Sequence, residues 1–284
     1  MTDGNQKVGQ LLRTAGLPLY GFCPFETVAG RLLPCRAKER MGAAFPADSP
    51  ARTVIVAAFP YRFPDDGERG NLSRYARVPD YHTAAGGVLE TAAARLRAAF
   101  PGKTFVPLID NSPIPEVYAA ASAGLGVIGR HGLLIHPEYG SWVFLGSIVT
   151  DLSLDIPPRE ARGCPDCGAC AAACPGNCLA DAPTRTRCVS AVSQKKGVLT
   201  PEEEALLRRS GSVWGCDRCQ EVCPLNQNVR MEPHACFLRC QSATLTRQAL
   251  ETPGALDGKA YGWRGKAVLL RNLSLIDGDG DDEV

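Results

Sequence analysis

The 284 residues suffice for one large domain or two modest ones with real cores. Lysine plus arginine (31) nearly cancels aspartate plus glutamate (30), so the total charge advertises neither nucleic acid, membrane surface nor a strongly acidic partner. Thirteen cysteines, no secretory leader in Met1 to Gly21 and no apolar run of about 18 residues indicate a cytoplasmic protein in a reducing compartment, without membrane contact.

Taken in chain order, Val8, Leu11, Leu12 and Ala15 recur at helical spacing, and Gly16 and Pro18 stop the run. The β-branched stretch from Thr53 to Phe59, closed by Pro60, reads as a buried strand. Gly86 to Phe100 is an alanine-rich amphipathic helix ended by Pro101 and Gly102. Thr104 to Ile109 is a second strand, which Pro107 places at a sheet edge, and it delivers Asp110 at its end. Pro115 to Ala123 is a helix with proline in its first turn. Leu133 to Ile135 and Trp142 to Val149 are strands separated by the turn from His136 to Gly140.

This alternation predicts an α/β (α+β) N-terminal domain, with the strand directions open. The polar, proline-bearing stretch from Asp155 to Gly163 reads as a linker. The expected boundaries are therefore 1–155 for the N-terminal domain, 156–240 for a cysteine-rich domain and 241–284 for the remainder. That remainder holds one last helix, Gly265 to Ile276, and an acidic tail. The tail is no calcium loop: Asp282 stands where glycine is needed, and no glutamate follows at the twelfth position.

The chemistry is concentrated in the cysteines. Cys164, Cys167, Cys170 and Cys174, followed by Pro175, have the C-x2-C-x2-C-x3-C-P spacing with which bacterial ferredoxins hold pairs of [4Fe–4S] clusters. Cys216, Cys219 and Cys223, followed by Pro224, repeat the motif with Val213 in its first position. In this spacing the cysteine before proline ligates the other cluster. The assignment is Cys164, Cys167, Cys170 and Cys223 for one cluster, and Cys174, Cys188, Cys216 and Cys219 for the second. A zinc or disulfide framework lacks the trailing C-P. Cys23, Cys35, Cys178, Cys236 and Cys240 are left over and read as small buried hydrophobes or incidental thiols.

Two adjacent cubanes carry single electrons, and the preceding 160 or so residues need a terminus for them. No G-x-G-x-x-G follows the Thr53 strand. Gly124 to Gly129 matches that pattern but follows a helix, and reads as a turn admitting close approach of a large ligand. Asp110, if shielded from water by apolar neighbours at a strand end, would have a raised pKa and could donate a proton. Otherwise it caps the turn ahead of Pro113 and Pro115.

A resemblance runs through the same residues. Ser73-Arg-Tyr-Ala76, Asp80-Tyr-His82, Asp110-Asn-Ser-Pro113, Gly124-Leu-Gly-Val-Ile-Gly-Arg130, Leu134-Ile-His-Pro137 and Gly140-Ser-Trp-Val-Phe-Leu145 resemble the ordered motifs of epoxyqueuosine reductases. Arg187-Cys-Val-Ser190 and both cysteine runs continue the match, which covers about residues 50 to 228 with a faint echo at Trp263-Arg264 and Leu270-Arg-Asn272. The resemblance implies a corrinoid domain holding base-off cobalamin and a ferredoxin-like double-[4Fe–4S] domain feeding it electrons from an external low-potential donor. It implies reduction of epoxyqueuosine in tRNA to queuosine, the last step of queuosine biosynthesis; a monomer is expected. The family's acid falls on Asp110. Tyr75, Tyr81, His82, Gly126, Gly129 and His136 fall around the corrin or its substrate, and no axial histidine is implied.

The match also departs from the family in three places. Asp110-Asn-Ser-Pro replaces D-[ST]-G-P, Ser147 stands where the family commonly has glutamate, and one helix stands where many members carry HEAT-type repeats that help dock tRNA. A basic footprint for tRNA would have to come from residues such as Arg62, Arg69, Arg74, Arg77 and Arg130. Two other readings therefore stand beside the first: the same corrinoid machinery acting on a small molecule, or a non-catalytic electron-transfer or activator protein.

Overall fold

Why the sequence folds as it does is clearest in Thr53–Pro60, where eight consecutive buried residues form a strand covered on both faces. The structure, a computed structural model, describes residues 3–64, 70–157, 159–180, 184–237 and 242–277. Arg69, Cys240 and residues 278–284 of the acidic tail lie outside the described residues. Contacts divide the chain into two compact units that interleave along the sequence. One comprises Met1–Pro60, Tyr81–Asp166 and Pro233–Cys236, and the other Tyr61–Asp80, Cys167–Glu232 and Phe237–Val284.

The first unit contains α1 (Asp3–Thr14), β1 (Tyr20–Pro24), α2 (Phe25–Ala29), α3 (Arg36–Ala44), β2 (Thr53–Pro60), α4 (Tyr81–Ala99), β3 (Phe105–Ile109), α5 (Glu116–Ser122), β4 (Val127–Ile128), β5 (Leu134–Ile135) and β6 (Val143–Thr150). The main sheet has the order β1-β2-β6-β3 and every pair is antiparallel, which settles the strand directions that the sequence left open. Its register sets Ile55 opposite Ile148 and Val106 opposite Val149. β3 is an edge strand, so Pro107 costs the sheet little.

Small residues let the helices approach. A side chain at Gly21 of β1 would strike Ala123 just after α5, and one at Gly146 of β6 would strike Leu89 of α4. Val54, Val56, Leu108, Ile114, Ala119, Ala120 and Val149 form one continuous core between α5 and the sheet. Burying such side chains stabilises the fold by about 25 cal/mol per Å² of apolar surface. α4 begins five residues before the predicted start at Gly86, and that earlier start places Tyr81 and His82 in its first turn.

The second unit is largely helical: α6 (Ala169–Ala172), α7 (Val189–Ser193), α8 (Pro201–Ser210), α9 (Arg218–Glu221), α10 (Arg247–Glu251) and α11 (Lys266–Asp277). α8 starts on a capping box, in which Thr200 accepts from the Glu203 amide and the Glu203 carboxylate accepts from the Thr200 amide. Leu72, Ala76, Val213, Trp214, Leu250, Tyr261, Leu269 and Leu273 make its main core. Val189, Val192, Leu199, Leu206 and Leu207 make a smaller one. Asn272 is fully buried, and its amide donates to the carbonyls of Ser193 (2.7 Å) and Val213 (2.8 Å). Among the described residues no helix is long and apolar enough to cross a membrane.

Candidate functional site

In the first unit the site is built at the end of β3. Asp110 leaves the strand with φ of +56°, a left-handed conformation uncommon outside glycine. The turn is held by the Ser112 amide donating to the Asp110 carbonyl (2.6 Å) and the Ile114 amide donating to Ser112 Oγ (3.1 Å). Ser112 thus has its own use in this turn: its hydroxyl accepts from the backbone that leads into α5.

The first turn of α4 supplies the partners of Asp110. Tyr81 donates its hydroxyl to Asp110 Oδ1 (2.8 Å), and His82 Nε2 lies 3.0 Å from Oδ2. The Tyr81 ring stacks on Phe144 of β6, with centroids 4.2 Å apart and planes 7° apart, which fixes where its hydroxyl points. The expectation of a shielded Asp110 with a raised pKa is corrected here. Its side chain is 54% exposed. The His82 hydrogen bond holds the carboxyl below its ordinary range, aided by Tyr81 and the His82 charge and opposed by partial burial. Asp110 is a carboxylate at neutral pH, with an acceptor contact on each oxygen.

Glu116, the first residue of α5, was not singled out by sequence. An acidic residue in a helix's first turn ordinarily reads as a partner of the helix dipole. In the structure its Oε1 is buried without a hydrogen-bond partner, and burial, then the charge of Asp110, pushes its carboxyl well above the ordinary range. A cavity of about 470 Å³ lies nearby, lined by Arg36, Arg40, His82, Glu90, Leu108 and Asn111 among others.

Gly126, Gly129 and His136 serve their own hairpin. A side chain at Gly126 would strike the Ile135 carbonyl, and one at Gly129 the His131 ring, so the close approach expected of a ligand is made here by the chain. His136 is buried and its Nδ1 accepts from the Glu138 amide (3.1 Å), while desolvation lowers its pKa and keeps the ring neutral. Next to this hairpin, the Arg130 amide donates to Cys164 Sγ at 3.4 Å, and the Arg130 side chain pairs with Asp166 at 3.0 Å.

Tyr75 belongs to the second unit, where its oxygen accepts from Gln194 Nε2 (3.2 Å) and burial raises its pKa. Arg74 pairs there with Asp217 (3.5 Å) and Glu221 (2.7 Å).

The remaining cysteines of the two motifs lie on short elements of this unit. Cys170 is in α6 with Cys174 just beyond it, Cys188 is the N-cap of α7, Cys219 is in α9 between Cys216 and Cys223. Burial pushes the Cys216 thiol up to about 11, helped by Asp217, Cys188 and Cys174, and burial with Cys216, Cys188, Asp217 and Cys170 raises Cys219. Cys174, Cys188, Cys216 and Cys219 therefore bear on one another electrostatically, and a cationic group is what makes four such thiolates favourable together.

Among the described residues no three histidine, cysteine or carboxylate side chains gather as a single ion requires. A cubane, whose irons stand apart, asks for a wider spread of sulfurs. The leftover Cys178 lies with its sulfur 3.0 Å from Cys174 Sγ and its amide donating to that sulfur at 3.4 Å. Amide bonds of this kind, like that from Arg130 to Cys164, are the contacts that tune iron–sulfur potentials. The donor set fits the cluster chemistry.

Comparison with known proteins agrees with this geometry. Residues 48–110 match a family model described as epoxyqueuosine reductase QueG, DUF1730, and residues 163–226 match one described as a 4Fe-4S double cluster binding domain. An epoxyqueuosine reductase of Lactococcus garvieae is 31% identical over 248 residues, covering 82% of this chain and 70% of the relative. One from Gloeobacter violaceus is 36% identical over 181 residues, covering 62% and 56%. The chain spans 53% to 70% of the length of the first curated relatives it matches. Among solved structures, an epoxyqueuosine reductase from Streptococcus thermophilus superposes with a TM-score of 0.73 at 25% identity, covering 96% of this chain and 80% of that one. An epoxyqueuosine reductase bound to an epoxyqueuosine-modified tRNA stem loop has the same fold, with a TM-score of 0.73 at 22% identity over 95% and 80% of the chains.

Proposed function

The chain belongs to the epoxyqueuosine reductase family, and from that premise we propose that it reduces epoxyqueuosine carried by a tRNA to queuosine, in the cytoplasm. The observation that carries this reading is Asp110, held at a strand end by Tyr81 and His82 in a chain that also carries a double-cluster domain. Loss of the epoxide oxygen consumes two electrons and two protons: both carbon–oxygen bonds break, a carbon–carbon π bond forms, and the oxygen leaves as water. Cys164, Cys167, Cys170 and Cys223 would hold one cluster and Cys174, Cys188, Cys216 and Cys219 the other, and the pair would supply single electrons from an external low-potential donor. A cobalamin, which the family resemblance supports, would supply a metal centre able to react at carbon.

The chain's own residues handle oxygen and proton. Tyr81 and His82 orient Asp110 so that its carboxyl meets the leaving oxygen in one position, which is where a general acid gains its advantage. Of the residues assigned to the corrin or substrate, Tyr81 and His82 lie beside Asp110. The adjoining cavity, about 470 Å³, is of a size to admit a nucleoside-scale group. Arg36 and Arg40, four residues apart on α3, bring two guanidinium groups to its lining, suited to the flanking phosphates.

The test is anaerobic reconstitution with iron, sulfide and cobalamin, followed by incubation with epoxyqueuosine-containing tRNA and a reductant. About eight irons, a retained corrinoid and conversion to queuosine are expected. Iron without corrinoid retention, or retention without conversion, would overturn the proposal; reduction of a small-molecule epoxide alone would point to the other enzymatic reading.

A further inference from the structure

Trp263 and Arg264 have no task in the chemistry described so far. The chain's tryptophans sort sharply: Trp142 and Trp214 are 2% and 0% exposed, whereas Trp263 is 60% exposed. Among the described residues it is the one aromatic in the set of large apolar side chains that stand exposed. Packing therefore does not hold the ring; the backbone displays it. Trp263 sits in a single 3-10 turn, Gly262–Arg264, between the buried Tyr261 and the start of α11. The Tyr261 ring anchors the turn by an edge contact with Trp214, with centroids 6.3 Å apart. A side chain at Gly262 would strike the Leu256 carbonyl, and Gly265 leaves the turn with φ of +84°, its amide donating to the Gly262 carbonyl (3.1 Å). The Arg264 guanidinium lies over the indole, 3.7 Å from the ring centroid, and its Nε is buried without a hydrogen-bond partner. Among the described residues no carboxylate pairs with Arg264 or with the exposed Lys266 two residues on. α11, which packs on the turn, carries its one acid, Asp277, at the opposite end.

We propose that Trp263, Arg264 and Lys266 form a platform on which an unpaired base of the tRNA stacks, with the two cations taking the adjoining phosphates. The inference rests on the reading that the substrate is carried by a tRNA, and it gives the second unit a part in holding RNA. Charge and shape together choose this occupant. An exposed apolar ring alone would suit a protein surface equally well, but two unpaired cations beside it select a polyanion. A flat indole then selects an unpaired base over a duplex, whose bases present no free face. Arg264 covers one face of the ring and leaves the other to the base. The guanidinium is already held in place by the indole, so little side-chain freedom is lost when a phosphate meets it.

The experiment is fluorescence anisotropy with a dye-labelled tRNA stem loop and, separately, a blunt RNA duplex, each titrated over a salt series with the cluster-loaded protein and its Trp263→Ala, Trp263→Phe and Arg264→Gln variants. Trp263→Ala should raise the Kd for the stem loop roughly tenfold and leave the salt slope unchanged, because it removes stacking and no charge. Trp263→Phe should recover most of the affinity. Arg264→Gln should lower the log–log salt slope by about 0.7, as one phosphate contact on a single strand predicts. Duplex binding should be the same for wild type and Trp263→Ala. Stem-loop affinity of Trp263→Ala equal to wild type would overturn the proposal, as would an equal loss on the duplex. So would a dimer of the RNA-free protein that Trp263→Ala dissociates, since the ring would then belong to a second copy. If Trp263→Ala loses iron, Trp263→Phe and Arg264→Gln decide by the same criteria. Conversion of epoxyqueuosine-containing tRNA, measured alongside, separates the two readings: conversion with Trp263-independent binding refutes the platform alone, and Trp263-dependent binding without conversion refutes the reductase reading alone.

Discussion

Replacing Asn272 by alanine tests whether the helix α11 secures the cysteine-bearing segments of the second unit. The Asn272 amide donates to the Ser193 carbonyl, at the end of the helix capped by Cys188, and to the Val213 carbonyl, three residues ahead of Cys216. Its Oδ1 accepts from the Arg271 guanidinium at 2.9 and 3.1 Å. The side chain is fully buried, so truncation leaves two carbonyls without these donors and no route for water short of local opening. Each buried neutral hydrogen bond contributes about 1 kcal/mol, and an orphaned partner adds to the loss, so the variant should lose about 3 kcal/mol. At 2–4 °C per kcal/mol for a unit of this size, Tm should fall by roughly 6–12 °C. Calorimetry at a fixed scan rate measures that, and iron release to a chelator measures cluster retention. Iron should be lost faster from the variant. A Tm within a degree of wild type, with unchanged iron release, would refute the argument that Asn272 ties these segments together.

Other perturbations report on the site directly. Tyr81→Phe removes the hydroxyl that helps hold the Asp110 pKa down, so the limb on which turnover falls as Asp110 loses its proton should move to higher pH. Because the folded pKa is depressed, the stabilisation of Asp110 is present above its unfolded value of about 3.9 and is lost as pH falls through the folded one; a descending limb that moves to lower pH in the variant would contradict the assignment. Reversing both Arg36 and Arg40 to glutamate should weaken tRNA binding and reduce its dependence on salt, by up to roughly 1.5 in the log–log slope, as two phosphate contacts predict. Cys188→Ala should cost about half the bound iron whereas Cys178→Ser should keep it, since the amide that Cys178 donates to Cys174 survives the substitution; iron counts distinguish them.

What the sequence discloses and what it withholds have physical reasons. The strand at Thr53–Pro60 was legible because a short apolar, β-branched run closed by proline suits a strand covered on both faces. Pro107 marked an edge because only an edge strand spares its missing amide. The cluster cysteines were legible because spacing is itself the constraint. The start of α4 had one sequence signal, Asp80 just ahead of it, whereas the role of Tyr81 and His82 emerges only where Phe144, some sixty residues on, stacks against Tyr81. The state of Asp110 was misjudged because exposure and partners come from tertiary placement, which position at a strand end does not encode. Glu116 escaped for the same reason, since a helix-start glutamate is ordinary until its burial is known. The interleaved units follow contacts that no linear boundary expresses, with Tyr61–Asp80 grouped beside Cys167–Glu232.

The measurement that bears most directly on the account is single-turnover conversion of epoxyqueuosine-containing tRNA by the anaerobically reconstituted enzyme, read by mass spectrometry of the released nucleoside, for wild type and Asp110→Asn. The account predicts loss of one oxygen atom with wild type. It also predicts a rate at least about 100-fold lower with Asp110→Asn at unchanged iron content. Conversion by Asp110→Asn at the wild-type rate, or no conversion by either protein, would contradict it.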